Sequence, residues 1–474
     1  MTVRRSLAWS YSGQAMSFLI AFGSSVVIAR LVTPSEFGIY AMAAAFSSLL
    51  GVVFGLGLGS YIVREEDIDT PILRSVFTVS ATFTVAFSTL LLIGGVAANR
   101  LFGSPKVGEF LLVFGFTPLL QLLEFVPQAL ATREMRFATI SSVAVMRAAI
   151  SAGTTIVLAS LGFGHMSFAW AGIVTASASA LAYNSLFWKR TVFRPRFVGF
   201  RAIVTFGLQM VSISSFSSLN ARVGEIALGS WLGLLTLGLY SRAANLATQM
   251  YSNVYGAAVS VFFVRMAADL RETGEFHHTL FRALRVLLVV IWPMMLGISI
   301  LSGPIIQTLY GARWLGAALP LTYLMLAYFI ILGMGMHWQV FILRKQTALQ
   351  TRLEAVRAIS GLFLFCLGAL ISLPAAAAAR MAEAVIAYFL YRPHLDRLIG
   401  AGPGMLDRLY LESLAVSVIA VLPSFALMAF TGFAPETSLL WVAGAVIVGI
   451  IGWAFALAHF RHPLLEELKR LHQR

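Results

Sequence analysis

The stretch Val26-Val-Ile-Ala-Arg-Leu-Val-Thr-Pro-Ser-Glu-Phe-Gly-Ile-Tyr40 joins two apolar segments through a tight polar turn, with Arg30 closing the first segment. Two hundred positions on, much of its character returns as Ile226-Ala-Leu-Gly-Ser-Trp-Leu-Gly-Leu-Leu-Thr-Leu-Gly-Leu-Tyr240. Gly38, Tyr40, Ala43 and Ala44 fall on Gly238, Tyr240, Ala243 and Ala244 without a gap. Repetition over such a distance in a chain this apolar predicts two related lobes.

Hydrophobic residues make up 59% of the 474 residues and charged residues 11%, and the mean hydropathy is +0.85. A soluble fold has no use for that much apolar surface, so the composition implies an all-α polytopic membrane protein. The net charge of +14 does not point to nucleic acid, because the arginines lie between apolar runs, where they set topology and meet anionic lipid. Cys366 is the only cysteine; an intrachain disulfide and a cysteine metal cluster are excluded, and nothing in the sequence calls for a metal or a cofactor. The start, Met1-Thr-Val-Arg-Arg, resembles a signal n-region, but the long segment after it carries no convincing small-residue cleavage site. It reads as a retained first span.

Fourteen stretches suffice to cross a core of about 30 Å at about 1.5 Å per residue. They lie near 7–30, 36–61, 75–98, 108–131, 138–161, 166–188, 202–224, 237–262, 284–303, 318–342, 356–373, 375–391, 411–431 and 437–459. The short pair 356–373 and 375–391 is split only by Pro374. With a cytoplasmic N-terminus, most of the 34 basic residues fall in inside connections, and the outside ones hold only Arg30, Arg100, Lys106, Arg222 and Arg313. That asymmetry puts both termini in the cytoplasm. The aspartates agree, since Asp67, Asp69, Asp269, Asp396 and Asp407 all fall in inside connections. The expected organisation is a six-span lobe over 1–190, a basic linker over 191–201, a second six-span lobe over 202–391, and two further spans with a tail over 392–474. Apolar residues at helical spacing suggest that the 264–285 connection and Leu464–Leu471 lie along the membrane surface.

Charges inside spans cost about 2.5–3.5 kcal/mol each at the membrane centre, so they mark wet cavities or ion partners. Arg147 sits mid-span with no acid near it in sequence; Arg242 lies one turn into its span. Arg380 has Glu383 three residues on, and Arg222 has Glu225 at the same spacing, which suits structural ion pairs as well as a site. Arg30 is placed to snorkel to the interface or to meet cargo. Glu124 and Glu383 are the acids well inside spans, able to pack against a neighbouring helix or to carry a proton. His337 reads as a packed histidine. Gln14 in the first span, and Gln209, Asn220 and a run of serines in the seventh, make equivalent spans polar. Close helix packing and a hydrated face both account for that. Gly55, Gly57 and Gly59 permit close packing or bending rather than forming a phosphate loop.

Ile28-Ala-Arg-Leu-Val-Thr-Pro-Ser-Glu-Phe-Gly-Ile-Tyr40 resembles the start of Wzx-type polysaccharide flippases of the MOP superfamily, which also holds the MATE exporters. Leu237-Gly-Leu-Tyr-Ser-Arg-Ala-Ala-Asn245 and Leu309-Tyr-Gly-Ala-Arg-Trp314 are similar to signatures of its exopolysaccharide and colanic-acid branch. The likeness covers most of residues 5–345. Two departures stand out: Gly224, beside Glu225, occupies the place of an aspartate common in the family, and no proline follows the eighth span. The resemblance implies two MATE-like six-span bundles plus two spans in the bacterial inner membrane. It implies a carrier, not an enzyme, that flips an undecaprenyl-diphosphate-linked oligosaccharide by alternating access. Arg30, Arg147, Arg242, Arg222, Gln14, Gln209 and Asn220 are then the expected cargo contacts; forked, permanently charged arginines suit a diphosphate. Glu124, Glu225 and Glu383 are the expected ion-coupling residues. Anionic lipids and other polysaccharide export proteins are the expected partners. The rival readings are a MATE-type drug or cation exporter, which wants acids rather than arginines, and a membrane polymerase or transferase, which needs larger outside loops. A structural subunit of an export complex also remains open.

Overall fold

The computed structural model describes residues 3–65, 68–187, 195–400, 404–460, 462 and 464; the side chains of 3–8, 10–11, 53, 208–219 and 257 are not described. Among the described residues there is no strand. The helices group into two compact units, Met1–Gly238 and Leu239–Arg474. The 191–194 part of the expected linker and the 465–471 part of the expected surface tail lie outside the described residues.

The first unit opens with α1 (Val3–Leu31), which turns at Val32 and Thr33 into α2 (Pro34–Phe54). The turn is closed chemically. Thr33 Oγ1 accepts from the Glu36 amide at 3.3 Å, the Thr33 amide donates to Glu36 Oε2 at 2.8 Å, and Pro34 takes the first helical position. Such reciprocal caps stabilise a helix start by about 1 kcal/mol. α2 ends at Gly55, Gly57 adopts φ 58°, and α3 (Leu58–Arg64) follows. The expected second span, 36–61, is therefore broken where its glycines cluster. α4 (Thr70–Phe102) is followed by a split helix, α5 (Pro105–Phe114) and α6 (Thr117–Arg133). α7 (Phe137–Ser160) and α8 (Met166–Leu186) complete the six-span set. α9 (Phe200–Leu232) also belongs to this unit, against α2, α3 and α4.

The copied glycines have one reason between them. A Cβ on Gly38 would lie 1.7 Å from the Leu234 carbonyl oxygen, and one on Gly238 would lie 1.8 Å from that of Pro34. The two glycines face each other reciprocally, and only the absence of side chains lets the backbones approach so closely.

α10 (Leu234–Thr273) runs on into the second unit. The helix takes in 264–273 of the expected surface segment 264–285, and after a three-residue break α11 (His277–Ile300) takes in the rest. Next come α12 (Ser302–Tyr310), a 3-10 turn (Ala312–Ala317), and the split pair α13 (Ala318–Leu332) and α14 (His337–Leu343). α15 (Thr347–Ile371), α16 (Leu373–Ile399), α17 (Met405–Phe430) and α18 (Leu439–His459) end the described chain. Each unit splits a long span, α5/α6 in the first and α13/α14 in the second, and each split span ends in the same reversal with a non-glycine residue in the left-handed region: Met135 (φ 53°) and Lys345 (φ 57°). The Arg136 amide donates to the Ala131 oxygen at 2.9 Å, and the Gln346 amide to the Phe341 oxygen at 2.8 Å. The repeat offset has grown from 200 to 210.

Twelve helices among the described residues are long and apolar enough to cross a membrane. The expected seventh and eighth spans are not among those twelve, although α9 and α10 exceed the needed length.

Candidate functional site

In the first unit, the Met135–Arg136 reversal folds α7 back along α6. Glu124 stands eleven residues before Met135, and Arg147 eleven after Arg136. At about 1.5 Å per residue both lie about 16 Å from the turn, near the middle of a core about 30 Å thick. There Arg147 Nη1 donates to Glu124 Oε1 at 2.8 Å. The Glu124 side chain is 4% exposed and that of Arg147 is 32% exposed. Glu124 Oε2 is buried and accepts no hydrogen bond among the described residues. One carboxylate oxygen thus fixes the arginine while the guanidinium keeps an open side.

The second unit carries an arginine at the same place. At an offset of 210, Arg147-Ala148 on α7 falls on Arg357-Ala358 on α15, which puts Arg357 at the place of Arg147. Arg357 stands at the very edge of the expected span 356–373, but α15 starts at Thr347 and so places it ten residues into the helix. Arg357 Nη1 donates to Glu383 Oε1 at 2.7 Å, and its Nε donates to Glu354 Oε2 at 3.0 Å. Arg380 Nη1 holds the other Glu383 oxygen at 2.8 Å. Tyr391 donates to Glu354 at 3.1 Å, and Arg380 also lies over the Phe365 ring at 4.4 Å. Space for Glu383 comes from Gly361, where a Cβ would fall 2.3 Å from the carboxyl carbon. Two arginines and two glutamates make this a closed, neutral network, unlike the half-satisfied pair in the first unit.

The other expected site residues are dispersed. Arg242 is buried at 4% exposure. Its guanidinium lies 4.9 Å from the centre of the Tyr310 ring and 4.8 Å from that of Trp314. The two signature stretches 237–245 and 309–314 therefore meet through this residue. Arg30 stands exposed in the last turn of α1, where its charge favours the helix C-terminus. Arg222 Nη1 donates to Glu225 Oε2 at 2.8 Å on α9. Asn220 is buried, with its Oδ1 accepting no hydrogen bond among the described residues. Gln14 is exposed on α1. The Gln209 side chain lies outside the described residues. Of the ten, the structure joins Arg147 with Glu124 and Arg222 with Glu225, and gives Glu383 two arginine partners.

Two cavities accompany these groups. Arg64, Arg201, Phe197, Phe200 and Phe206 line an open depression of about 870 Å³ in the first unit. In the second, α11, α17 and α18 enclose a mostly apolar cavity of about 550 Å³, with Pro293, Gly297, Val421, Gly449 and Trp453 in its wall. No group of acids, histidines and cysteine suited to a metal occurs among the described residues.

The described residues form an all-helical, multi-pass fold with twelve candidate spans, and solved structures share it. The chain superposes on the lipid II flippase MurJ in an inward closed conformation with a TM-score of 0.78 and 16% identity, covering 97% of this chain and 100% of that one. It superposes on an inward-facing MATE family multidrug transporter of the MOP superfamily with a TM-score of 0.60 and 16% identity, covering 81% and 96%. The chain belongs to the family described as Polysaccharide biosynthesis protein, which matches residues 27–319. Among curated relatives, the succinoglycan biosynthesis transport protein ExoT of Rhizobium meliloti (strain 1021) is 25% identical over 319 residues. That match covers 66% of this chain and 63% of ExoT, less than two thirds of the relative's length.

Proposed function

We propose that the chain carries an undecaprenyl-diphosphate-linked oligosaccharide across the bacterial inner membrane by alternating access of its two related halves, as a carrier and not an enzyme. The observation that supports this most is Arg147, a cation near mid-membrane depth whose guanidinium is one-third exposed and tethered by a single carboxylate oxygen. A diphosphate crossing a low-dielectric interior needs such a group, and a guanidinium can pass from a carboxylate to a phosphate oxygen without losing its charge. As Arg147 turns to the cargo, Glu124 loses its partner, which makes it the leading candidate for coupling an ion to cargo binding. Glu225 and Glu383 are weaker candidates for coupling, because arginines already hold both.

The apolar cavity among α11, α17 and α18 has the lining to take part of a polyprenyl chain. The arginine- and phenylalanine-lined depression at α3 and α9 suits an anionic lipid headgroup. A cation exporter is disfavoured, since Glu124, Glu225, Glu354 and Glu383 each face an arginine. The arginine asymmetry supports a cytoplasmic position for both termini, and the partners expected in the cell are other polysaccharide export proteins.

The test is reconstitution. Purified chain in liposomes should move undecaprenyl-diphosphate-linked oligosaccharide from the inner to the outer leaflet, read by its exposure to an added glycosidase. Liposomes whose protected fraction stays equal to that of protein-free controls would refute the proposal.

A further inference from the structure

α10 carries no charged residue between Arg242 and Arg265, yet it is not among the helices apolar enough to span a membrane. The reason lies on one face. Asn245, Thr248, Ser252, Asn253, Gly256 and Ser260 are exposed, with Gln249 half-buried among them. At 100° per residue they fall within an arc of about 140°, while Ala243, Leu246 and Ala247 on the other side are buried. A stripe of amides and hydroxyls at this depth is costly against lipid and is stable only against water or polar cargo.

Tyrosines line one edge of the stripe. Tyr251 stacks on Tyr255 at 4.9 Å between ring centres and on Tyr328 of α13 at 4.5 Å. The pile is pinned at both ends: the Tyr255 hydroxyl accepts from the Met336 amide at 2.8 Å, and Thr248 Oγ1 and the Tyr328 hydroxyl lie 3.0 Å apart. Asn253 is oriented by donating its own amide hydrogen to the Gln249 backbone oxygen at 2.7 Å.

We infer that this face of α10 is a subsite for the uncharged sugar residues of the cargo, separate from the arginine that meets the diphosphate. The assignment follows from the donor set and rests on the proposed function. Amides and hydroxyls both donate and accept, as a sugar hydroxyl does, and a rigid aromatic edge offers a flat apolar surface to the C–H face of a pyranose. The absence of any cation along the stripe makes it unsuited to phosphate or to a uronic acid, and the absence of any anion makes it unsuited to a cationic drug.

The experiment compares two probes on the full chain in nanodiscs: the lipid-linked oligosaccharide extracted from cells lacking the transporter, and undecaprenyl diphosphate bearing no sugar. The doubly substituted chain Gln249→Leu, Asn253→Leu should bind the oligosaccharide about tenfold more weakly, the loss of roughly two net hydrogen bonds, and bind the sugar-free lipid as the native chain does. Asn253→Gln, which keeps the amide, should restore part of the loss. A merely structural role would lower both affinities together and shift the Tm, and would overturn the inference. Unchanged binding of both probes would overturn it too, while leaving the transport proposal intact. A native chain that binds neither probe would overturn the transport proposal and the subsite with it.

Discussion

Replacing Arg147 with methionine leaves Glu124 as a carboxylate that is 4% exposed, with no counter-charge in the pair. Breaking a buried ion pair by removing one partner costs about 3–5 kcal/mol. Arg147 is itself one-third exposed, so the lower end applies, about 3 kcal/mol; at about 2–4 °C per kcal/mol for a unit of this size, Tm falls about 6–12 °C. The double substitution Arg147→Met, Glu124→Leu removes both charges and replaces them with apolar groups of similar volume, a change that is often neutral or stabilising. Its Tm should return to within about 4 °C of native, since an apolar replacement pair recovers most of the loss. Stability and transport then separate. If Arg147 carries cargo, the double variant is stable but inactive in export; if the pair only fastens α6 to α7, the double variant regains export along with stability. Thermal unfolding in detergent and a capsule or exopolysaccharide export assay on the same variants decide it. A double variant that is both stable and fully active would refute the reasoning.

Gly38→Ala and Gly238→Ala should each destabilise by about 1–3 kcal/mol or more, because either methyl lands within 1.8 Å of a backbone oxygen; a lowered Tm and reduced yield of folded protein would report it. Arg242→Lys should keep more stability than Arg242→Gln, since a cation over Tyr310 and Trp314 is worth about 0.5–2 kcal/mol per ring; equal Tm values for the two would contradict the stacking role. Burial and the neighbouring Arg285 push His462 down to about 4. Its unfolded form titrates near 6.5, so the stabilisation is complete above that pH and is lost as pH falls toward 4. His462→Asn should flatten that part of the stability–pH curve, whose slope from this residue is at most about 1.4 kcal/mol per pH unit.

The α1–α2 corner was legible because hydropathy, a polar turn and a repeat all coincide there, and the structure adds why the glycines repeat: they pack on each other. Breaks in the helices were partly legible, with Gly55 and Gly57 readable as a bend, while the second reversal hides behind Lys345, a residue type that gives no sign of a left-handed conformation. The Glu124–Arg147 pair escaped a search at helical spacing because its partners are 23 residues apart. Folding the sequence about Met135 and Arg136 would have paired them, since they stand at equal distances from the turn. Arg357 was missed for a simpler reason: in a window that starts at 356 it reads as an edge residue, because the polar first turns of α15 from Thr347 lie outside the window, and the recurrence of Arg-Ala at an offset of 210 was the available signal. The stripe on α10 was invisible to a charge count because every member is neutral. Arg242 shows the reverse: sequence flagged it as a charge in a span, and the structure gives it an aromatic enclosure that no local pattern announces.

The most direct measurement of the central claim is the leaflet in which lipid-linked repeat units accumulate when this chain is removed from cells that assemble the polysaccharide. Extraction after treatment of spheroplasts with a membrane-impermeant oxidant of sugars distinguishes the two sides. A carrier of the kind proposed predicts intact, protected repeat units on the cytoplasmic face, restored to the outer face by the native chain and not by Arg147→Gln. Repeat units that accumulate on the outer face, open to the oxidant, would contradict it.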